Sequence, residues 1–245
     1  MTPKLQLFDY SAKTPSENIE IDTQLLQLSN DSIKENKEEY TAILRFWESQ
    51  SDFVCLGASN KAETEVNNKE TTEDRIPILK RCSGGGTVVQ GPGCINYCIV
   101  LPLTYHKALK TIDTSNTFIM TQTQKAIQSL LPNSKKVCIQ GYTDLTIDSV
   151  KFSGNAQRRL KHSLLFHGSI LYDFDIQKIS RYLAFPSRHP EYRKKRSHDE
   201  FCQNIPVTKE DIKKAIITQW TAYSNISTHK SLVTKLKQRR FDSTK

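Results

Sequence analysis

A glycine-rich segment carries the densest chemical signal in this chain of 245 residues. Five of the nine glycines fall between positions 84 and 93, and the first three of these are consecutive. Consecutive glycines let the backbone adopt positive φ and approach a ligand without interference from a Cβ atom. Arg81 and Ser83, directly before them, are residue types that suit an anionic ligand. The segment predicts a cradle for an anion, although a flexible hairpin loop would also be rich in glycine.

This segment does not match the two common phosphate-binding loops. A Walker A loop needs G-x-x-x-x-G-K-[ST], and no lysine follows these glycines. The G-x-G-x-x-G pattern is not matched either. An anion bound here is therefore held by a loop of a different kind.

A second group of polar side chains lies between positions 144 and 173. Lys151 follows a strand-like run over Leu145–Val150 and precedes Ser153 and Gly154, which predict a turn. An ammonium group beside a small turn can contact both a carboxylate and an α-phosphate, as the adenylation of a carboxylic acid requires. A lysine outside such a pattern would simply be solvated.

The following segment, Ser163 to Tyr172, alternates as a strand does and places His167 on one face with Leu165. A lone histidine there is more often a core residue than a catalyst. His162 lies on the opposite strand face, so the two histidines do not form a metal pair.

Three motifs in these segments resemble those of the lipoate-protein ligase family, part of the wider group of biotin and lipoate attachment enzymes. They are R-x-S-G-G-G from position 81, K-[FIV]-S-G-[NS]-A-Q from position 151 and L-x-H-G ending at position 168. The matching blocks, Arg81–Tyr97 and Asp144–Asp175, have the order and spacing of the family. Weaker similarity extends from about position 18 to position 236.

The resemblance implies an ATP-dependent lipoate-protein ligase. The carboxylate of lipoate attacks the α-phosphate of ATP and releases pyrophosphate, and the ε-amine of an acceptor lysine then displaces AMP. The implied ligands are ATP, Mg²⁺ and lipoate. The implied acceptors are the lipoyl domains of 2-oxoacid dehydrogenase E2 subunits and the glycine cleavage H protein.

The resemblance also implies roles for individual residues. Lys151 is the expected catalytic residue and is expected to stabilise phosphate charge together with Arg81. Asp144 matches the aspartate of the family's G-R-N-D-L segment and is expected to contact the adenylate or Mg²⁺. The remaining residues expected to bind ATP or lipoate are Ser83, Gly84, Gly85, Gly86, Gln90, Asn96, Ser153, Gly154, Asn155, Gln157, Arg158, His167 and Gly168.

We expect an α/β fold with a central mixed β-sheet flanked by helices, like the catalytic domains of biotin ligases and class II aminoacyl-tRNA synthetases. Residues 1–245 are expected to form one catalytic domain with a basic tail over about 229–245 and without the C-terminal accessory domain of larger ligases. The predicted helices are one over Ile21–Leu28 with Ser16 or Asn18 as N-cap, one over 115–131, one over 175–185 and one over 208–223 beginning at Thr208.

Charge and composition limit the kinds of partner that this protein is expected to bind. The net charge is 35 − 26 = +9, which suits an anionic ligand or an acidic protein. No helix-turn-helix, zinc-finger or RNP pattern accompanies that charge, so we do not expect nucleic-acid binding. No apolar stretch reaches membrane-spanning length and no secretory signal begins the chain, so a cytoplasmic location is expected. The six cysteines form no C-x-x-C pair and are expected to be reduced.

Other functions remain open. Octanoyl transferases use a cysteine nucleophile and no ATP. One branch places it near the position of Pro186, where no cysteine occurs, and another places it before the lysine segment, where Cys138 is the candidate. Biotin ligation and a non-catalytic partner that binds lipoyl-adenylate are further alternatives.

Overall fold

The computed structural model describes residues 4–37, 42–186 and 189–228, together with Leu232 and Leu236. The strands are, in chain order, β1 (Lys4–Asp9), β2 (Ile43–Glu48), β3 (Phe53–Leu56), β4 (Ile78–Lys80), β5 (Val88–Gln90), β6 (Cys94–Pro102), β7 (Val137–Gln140), β8 (Asp144–Ile147), β9 (Val150–Arg159), β10 (Ser163–Leu171) and β11 (Asn225–Thr228). The helices are α1 (Pro15–Lys34), α2 (Ala62–Glu65), α3 (Asn68–Glu73), α4 (Ile112–Gln128), α5 (Gln177–Tyr182), α6 (His198–Phe201) and α7 (Lys209–Thr221).

The strands form two sheets. The large sheet has eight strands in the order β11-β1-β2-β6-β10-β9-β8-β7, and the small sheet has the order β4-β3-β5. In the large sheet β11, β1 and β2 are parallel, whereas the pairs from β2 through to β7 are antiparallel. The predicted α/β fold with a central mixed sheet is confirmed.

Strand β6 forms the centre of the core because, apart from Asn96, it is mainly apolar on both faces. Tyr97 and Ile99 pack in the cluster that includes residues of α4 and α7, whereas Cys98 and Val100 pack in the cluster that includes residues of α1. All nine residues of β6 are buried. A strand covered on both faces reads as a continuous apolar run, and this is the pattern of its sequence.

Helix α1 begins earlier than the sequence predicted. Thr14 is the N-cap and forms a capping box with Glu17, while Pro15 occupies the first turn. Prediction of Ser16 or Asn18 as the N-cap was wrong. The Asn18 side chain is buried instead, where it donates to the carbonyl oxygen of Ala12 and accepts from Arg45.

The segment around the candidate lysine also differs from the prediction. The turn lies at Asp148 and Ser149, whose φ angles of 53° and 60° suit the two-residue hairpin between β8 and β9. Ser153 and Gly154 lie inside β9, paired with β10. The prediction of a turn at these two residues was wrong because a glycine within a paired strand can serve a close contact as well as a turn.

Other helices begin or end several residues away from their predicted positions. The helix predicted over 115–131 is α4, which begins at Ile112 and ends at Gln128, and α5 is shorter than the predicted 175–185. Thr208 is the N-cap of α7, as predicted, and its hydroxyl accepts from the amide of Asp211. The predicted basic tail over 229–245 lies outside the described residues, apart from Leu232 and Leu236. Among the described helices, none combines the length and the apolar character that crossing a bilayer requires.

Candidate active site

A cleft of about 560 Å³ lies where both sheets meet the segment that follows α5. Its walls contain most of the residues predicted to bind a ligand. The predicted residues that line it are Arg81, Gly85, Gly86, Gln90, Asn96, Asp144, Lys151, Ser153, Gly154, Asn155, His167 and Gly168. The predicted residues that do not line it are Ser83, Gly84, Gln157 and Arg158.

The glycine loop joins β4 to β5 and is held from within by Arg81. Its guanidinium donates from Nη2 to the carbonyl oxygens of Gly84 and Gly86, each at 2.7 Å. Its Nη1 donates to the carbonyl oxygen of Cys55 at 3.1 Å, and its Nε donates to the Ser83 hydroxyl at 3.1 Å. This guanidinium therefore shapes the loop, because each of its nitrogens already has an acceptor in the protein.

Gly85 needs to be glycine for conformational reasons. Its φ of +90° is a backbone conformation that residues with a Cβ atom rarely adopt. An added Cβ would also lie 3.1 Å from Nη2 of Arg81, whereas at Gly84 it would meet nothing within 4 Å. The predicted positive φ in the middle of the glycine run is confirmed.

A buried polar chain links the glycine loop to α1. The Ser83 hydroxyl lies 2.6 Å from Nε2 of His167, and Nδ1 of His167 lies 3.4 Å from Asp22. Asp22 also accepts from Nη1 of Arg45 at 2.6 Å. Burial alone would raise the pKa of Asp22, but the Arg45 guanidinium and His167 outweigh it and hold this pKa below its usual value.

Sequence reasoning did not single out Asp22. Its only signal was a carboxylate placed beside Ile21 in the apolar stripe of a predicted helix, where a charge needs a buried partner. That partner, Arg45, comes from β2 and could not be assigned before the fold was known.

Lys151 projects from β9 into the cleft as part of a three-residue cluster. Its Nζ lies 2.8 Å from Oδ1 of Asp144, and Oδ2 of Asp144 accepts from the Tyr192 hydroxyl at 2.7 Å. Gly154 leaves room for the lysine, because a Cβ there would lie 2.8 Å from Nζ. Burial and the neighbouring Asp144 carboxylate raise the pKa of Tyr192. Tyr192 belongs to none of the sequence motifs, and it approaches from a segment about forty positions further along the chain.

Asn155 forms part of the wall of the cleft. Its Oδ1 accepts from the Tyr97 hydroxyl at 2.6 Å, and its Nδ2 donates to the carbonyl oxygen of Thr143 at 2.7 Å. Gly168 lies opposite Asn155 on β10, and a Cβ at Gly168 would lie 1.6 Å from Oδ1 of Asn155. The glycine is therefore required by the position of this amide.

Gln157 and Arg158, both predicted to bind a ligand, lie elsewhere. The Gln157 side chain donates to the carbonyl oxygen of Ile112 at 3.0 Å and to the Asn116 side chain at 2.5 Å, which fixes the first turn of α4. Arg158 is exposed, and the Arg159 guanidinium donates to the Leu109 carbonyl oxygen at 2.7 Å.

Two buried amide side chains in the cleft retain unused hydrogen-bonding atoms. Oε1 of Gln90 and Nδ2 of Asn96 have no hydrogen-bond partner among the described residues. Buried polar atoms are nearly always satisfied in folded proteins. Both atoms are therefore suited to a ligand.

The cysteines of the cleft are not poised as nucleophiles. Cys55, Cys82 and Cys202 line the cleft, and burial raises the pKa of each thiol. Reactive cysteines need the opposite shift, since the thiolate is the nucleophile. Cys138, the candidate suggested by the sequence, lies on the edge strand β7 and does not line the cleft.

The lipoyl protein ligase A/B catalytic domain matches this chain over residues 14–221. The chain belongs to this family. In this chain, residues 81–97 and 144–175 supply just over half of the residues that line the cleft, and these ranges contain the motifs that first indicated the resemblance.

Relatives in the family differ in activity. A Mycoplasma genitalium protein named probable lipoate-protein ligase A is 33% identical over 147 residues, which cover 60% of this chain and 41% of the relative. An inactive lipoate–protein ligase 2 from Plasmodium falciparum is 26% identical, covering 64% and 48%. The octanoyltransferase LipM of Brevibacillus brevis is 23% identical, covering 85% and 79%. The chain spans about two fifths of the length of the Mycoplasma relative that it matches.

Solved structures agree with the fold. A bipartite lipoate protein ligase from Thermoplasma acidophilum, solved in a study with its E2 lipoyl domain, has a TM-score of 0.71 and 19% identity, covering 98% of this chain and 92% of that one. A lipoate-protein ligase A bound with ATP has a TM-score of 0.69 and 18% identity, covering 99% and 95%. At these identities the likeness concerns the fold alone.

Proposed function

We propose that this protein is an ATP-dependent lipoate-protein ligase, which forms lipoyl-AMP and transfers the lipoyl group to a lysine of an acceptor protein. The observation that carries the proposal is the Lys151–Asp144 pair in a cleft whose other wall is a glycine loop held in an open, positive-φ conformation. The ammonium group supports attack of a carboxylate on phosphorus, since it attracts both reacting anions.

The remaining residues have roles that follow from their positions. The amides of the loop at Gly85 and Gly86 bind the adenylate or the lipoyl chain, and Arg81 keeps those amides in place. The free atoms of Gln90 and Asn96 bind polar groups of the substrates.

Mg²⁺ would be held mainly by the phosphates of ATP. A magnesium ion bound to a nucleotide needs only one or two carboxylates from the protein. Asp144 is the carboxylate beside Lys151, and the ion would offset the charge of the triphosphate there. Among the described residues no group of three or more His, Cys, Asp and Glu side chains is placed to hold a metal on its own.

The proposed acceptors are lipoyl domains of 2-oxoacid dehydrogenase E2 subunits and the glycine cleavage H protein. The relation of the Thermoplasma ligase to an E2 lipoyl domain supports this class of partner. The net charge of +9 suits an acidic acceptor surface. The six free cysteines and the use of ATP both fit a cytoplasmic reaction.

The decisive experiment incubates the protein with lipoate, ATP, Mg²⁺ and a lipoyl domain. Pyrophosphate, AMP and an acceptor heavier by one lipoyl group are the expected products. AMP formation without acceptor modification would point to a separate requirement for transfer. Binding of lipoyl-adenylate without formation of AMP would identify a non-catalytic member of the family.

A cysteine-dependent octanoyl transferase is the second candidate, because the LipM relative is matched over most of its length. It predicts acyl transfer without ATP through a thioester. The position of Cys138 away from the cleft argues against it, and full ligation by a Cys138→Ser protein would remove it.

A further inference from the structure

Arg193 is a buried arginine in the wall of the cleft, and the sequence motifs do not include it. Its side chain is 4% exposed. Nε donates to the carbonyl oxygen of Arg196 at 2.9 Å, but Nη2 is buried and has no hydrogen-bond partner among the described residues. Among those residues no carboxylate lies within ion-pair distance of its guanidinium.

Two aromatic rings contact this guanidinium. Its Cζ lies 4.8 Å from the ring centre of Phe185 and 4.7 Å from that of Phe201. Such contacts attract a cation but supply no hydrogen-bond acceptor in the plane of the guanidinium. A buried charge is costly unless it is paired, so an arginine held in this way is suited to an anion that arrives from outside the protein.

Arg193 lies at the same end of the cleft as Lys151. The adjacent residue, Tyr192, donates to Asp144, which pairs with Lys151. The backbone of Cys202 forms an isolated β-bridge with that of Lys151. The Cys202 thiol lies within electrostatic range of both Lys151 and Arg193. The His198 imidazole also lies within range of both cations.

The charges of the cleft show why a second cation is needed there. Asp144 offsets part of the positive charge of Lys151, and the nitrogens of Arg81 already donate to acceptors of the glycine loop and of β3. A nucleoside triphosphate carries several negative charges. Of the three Lys and Arg side chains in the walls, Arg193 is the one with an unused buried donor.

We infer that Arg193 binds phosphate oxygens of ATP and thereby assists departure of pyrophosphate. The inference rests on the proposed function. When the lipoate carboxylate bonds to the α-phosphorus, the bond from that phosphorus to the bridging oxygen breaks, and pyrophosphate leaves with the electron pair. Arg193 offsets the negative charge on the phosphates, and its planar guanidinium suits bidentate contact with phosphate.

The test compares Arg193→Met and Arg193→Lys with the wild type by isothermal titration calorimetry. The probes are inorganic pyrophosphate, the non-hydrolysable analogue α,β-methylene-ATP, and lipoate. Arg193→Met is expected to weaken binding of pyrophosphate and of the analogue by about 10- to 100-fold, the worth of a hydrogen bond to a charged group, and to leave lipoate binding unchanged. Arg193→Lys retains the charge and should weaken phosphate binding less.

Lys195→Met is the matched control, since it removes an exposed positive charge from the same segment. It should change each affinity by less than about threefold, as expected for an exposed charge. The melting temperature separates binding from folding. If Arg193 serves a ligand, Arg193→Met keeps or raises the melting temperature of the free protein, because it removes an unpaired buried charge.

Equal weakening of all three probes together with a lower melting temperature would overturn the inference and give Arg193 a role in folding only. Unchanged phosphate affinities in Arg193→Met would also overturn it. If Arg193→Met does not fold, Arg193→Lys decides: weaker binding of pyrophosphate, with lipoate binding retained, supports the inference, and equal affinities reject it.

The same titrations separate this inference from the proposed function. A wild-type protein that binds the ATP analogue through Arg193 but forms no lipoyl-AMP supports the inference and rejects the proposed ligase. A wild-type protein that forms lipoyl-AMP while Arg193→Met keeps normal phosphate affinities supports the proposed ligase and rejects the inference. Failure of the wild type to bind either phosphate probe rejects both.

Discussion

Lys151 is the residue on which the proposed chemistry depends most. Its ammonium is held by Asp144, and Asp144 is held in turn by Tyr192, so the lysine has a fixed direction before substrates bind. A lysine that is free to rotate would lose side-chain entropy when a substrate binds. In this protein that entropy is already lost when the chain folds. Fixed charge of this kind is effective in catalysis because it needs no reorganisation during the reaction.

Replacing Lys151 with alanine should reduce lipoyl-AMP formation by about 100-fold or more, the usual effect of removing a group that stabilises transition-state charge. The melting temperature should change little, since the ion pair is partly exposed. Pyrophosphate release measures the first effect and circular dichroism the second. Lys214→Ala, at an exposed position of α7, is the control. Wild-type rates of pyrophosphate release in Lys151→Ala would remove this residue from the mechanism.

The sequence could identify Lys151 and Asp144 because both belong to short motifs with a fixed spacing. It could not identify Tyr192 or Arg193, which lie about forty positions beyond Lys151 and reach the cleft only through the fold. It also placed Gln157 in the site. Gln157 is two residues beyond Asn155 on the same strand face, but its side chain donates to the carbonyl oxygen of Ile112 at the start of α4. A motif shows which residues occur together but does not show how far along a strand the cleft extends.

At the scale of elements, the glycine loop is a rigid part of the cleft. Arg81 joins the carbonyl oxygens on either side of Gly85, and Ser83 connects the loop to β10 through His167. A loop held by so many internal contacts presents its amides in a preset arrangement. Preset donors bind more tightly because less entropy is lost on binding.

Gly85→Ala and Gly84→Ala form a matched pair that tests this loop. Both add one methyl group, but only Gly85 has φ of +90° and an added Cβ close to Arg81. Gly85→Ala should cost about 1–3 kcal/mol of backbone strain and weaken binding of a non-hydrolysable lipoyl-adenylate. Gly84→Ala should do neither to a comparable extent. Thermal unfolding measures the loss of stability and calorimetric titration measures the binding. Equal effects of the two substitutions would mean that the loop is only a turn and does not bind the ligand.

Asp22 is the point at which α1, β2 and β10 are joined. It accepts from Arg45 and Trp47 of β2 and lies within ion-pair distance of His167 of β10. Breaking a buried ion pair on one side leaves the other charge unpaired. The same carboxylate also positions His167 next to the glycine loop, so its loss should affect both folding and binding.

Asp22→Asn should lower the free energy of unfolding by about 3–5 kcal/mol at neutral pH. The pKa of Asp22 is lower in the folded protein than its usual value of 3.8, so its stabilisation is complete above that value and disappears as the pH falls through the folded pKa. The difference between wild type and Asp22→Asn should therefore shrink in acid. Urea unfolding at pH 7 and in steps below pH 3.8 measures it.

Asp9→Asn is the control for that series, because Asp9 pairs with Lys213 at an exposed site and should contribute less than about 1 kcal/mol. A difference between wild type and Asp22→Asn that stays constant with pH would mean that the ionised carboxylate is not what stabilises the fold.

At the scale of the whole molecule, the cleft is built from two sheets that do not share a strand. The small sheet supplies the glycine loop, the large sheet supplies Lys151, and the segment after α5 supplies Arg193. Sequence motifs predicted the first two walls but not the third. A ligand that fills the cleft must contact all three walls, which are separated along the chain by tens of residues.

A non-hydrolysable lipoyl-adenylate should therefore stabilise all three walls together. Hydrogen exchange measured by mass spectrometry should show slower exchange at residues 81–90, at 150–157 and at 189–202, while α7, which contributes no residue to the cleft, should change little. At a concentration about 100 times its Kd the analogue should add about 2.7 kcal/mol to the free energy of unfolding. Lipoate alone and α,β-methylene-ATP alone each occupy part of the cleft and should slow exchange over fewer segments. Slower exchange confined to one sheet in the presence of the full analogue would contradict a site shared between the sheets, since a ligand held by one sheet leaves the amides of the other free to exchange.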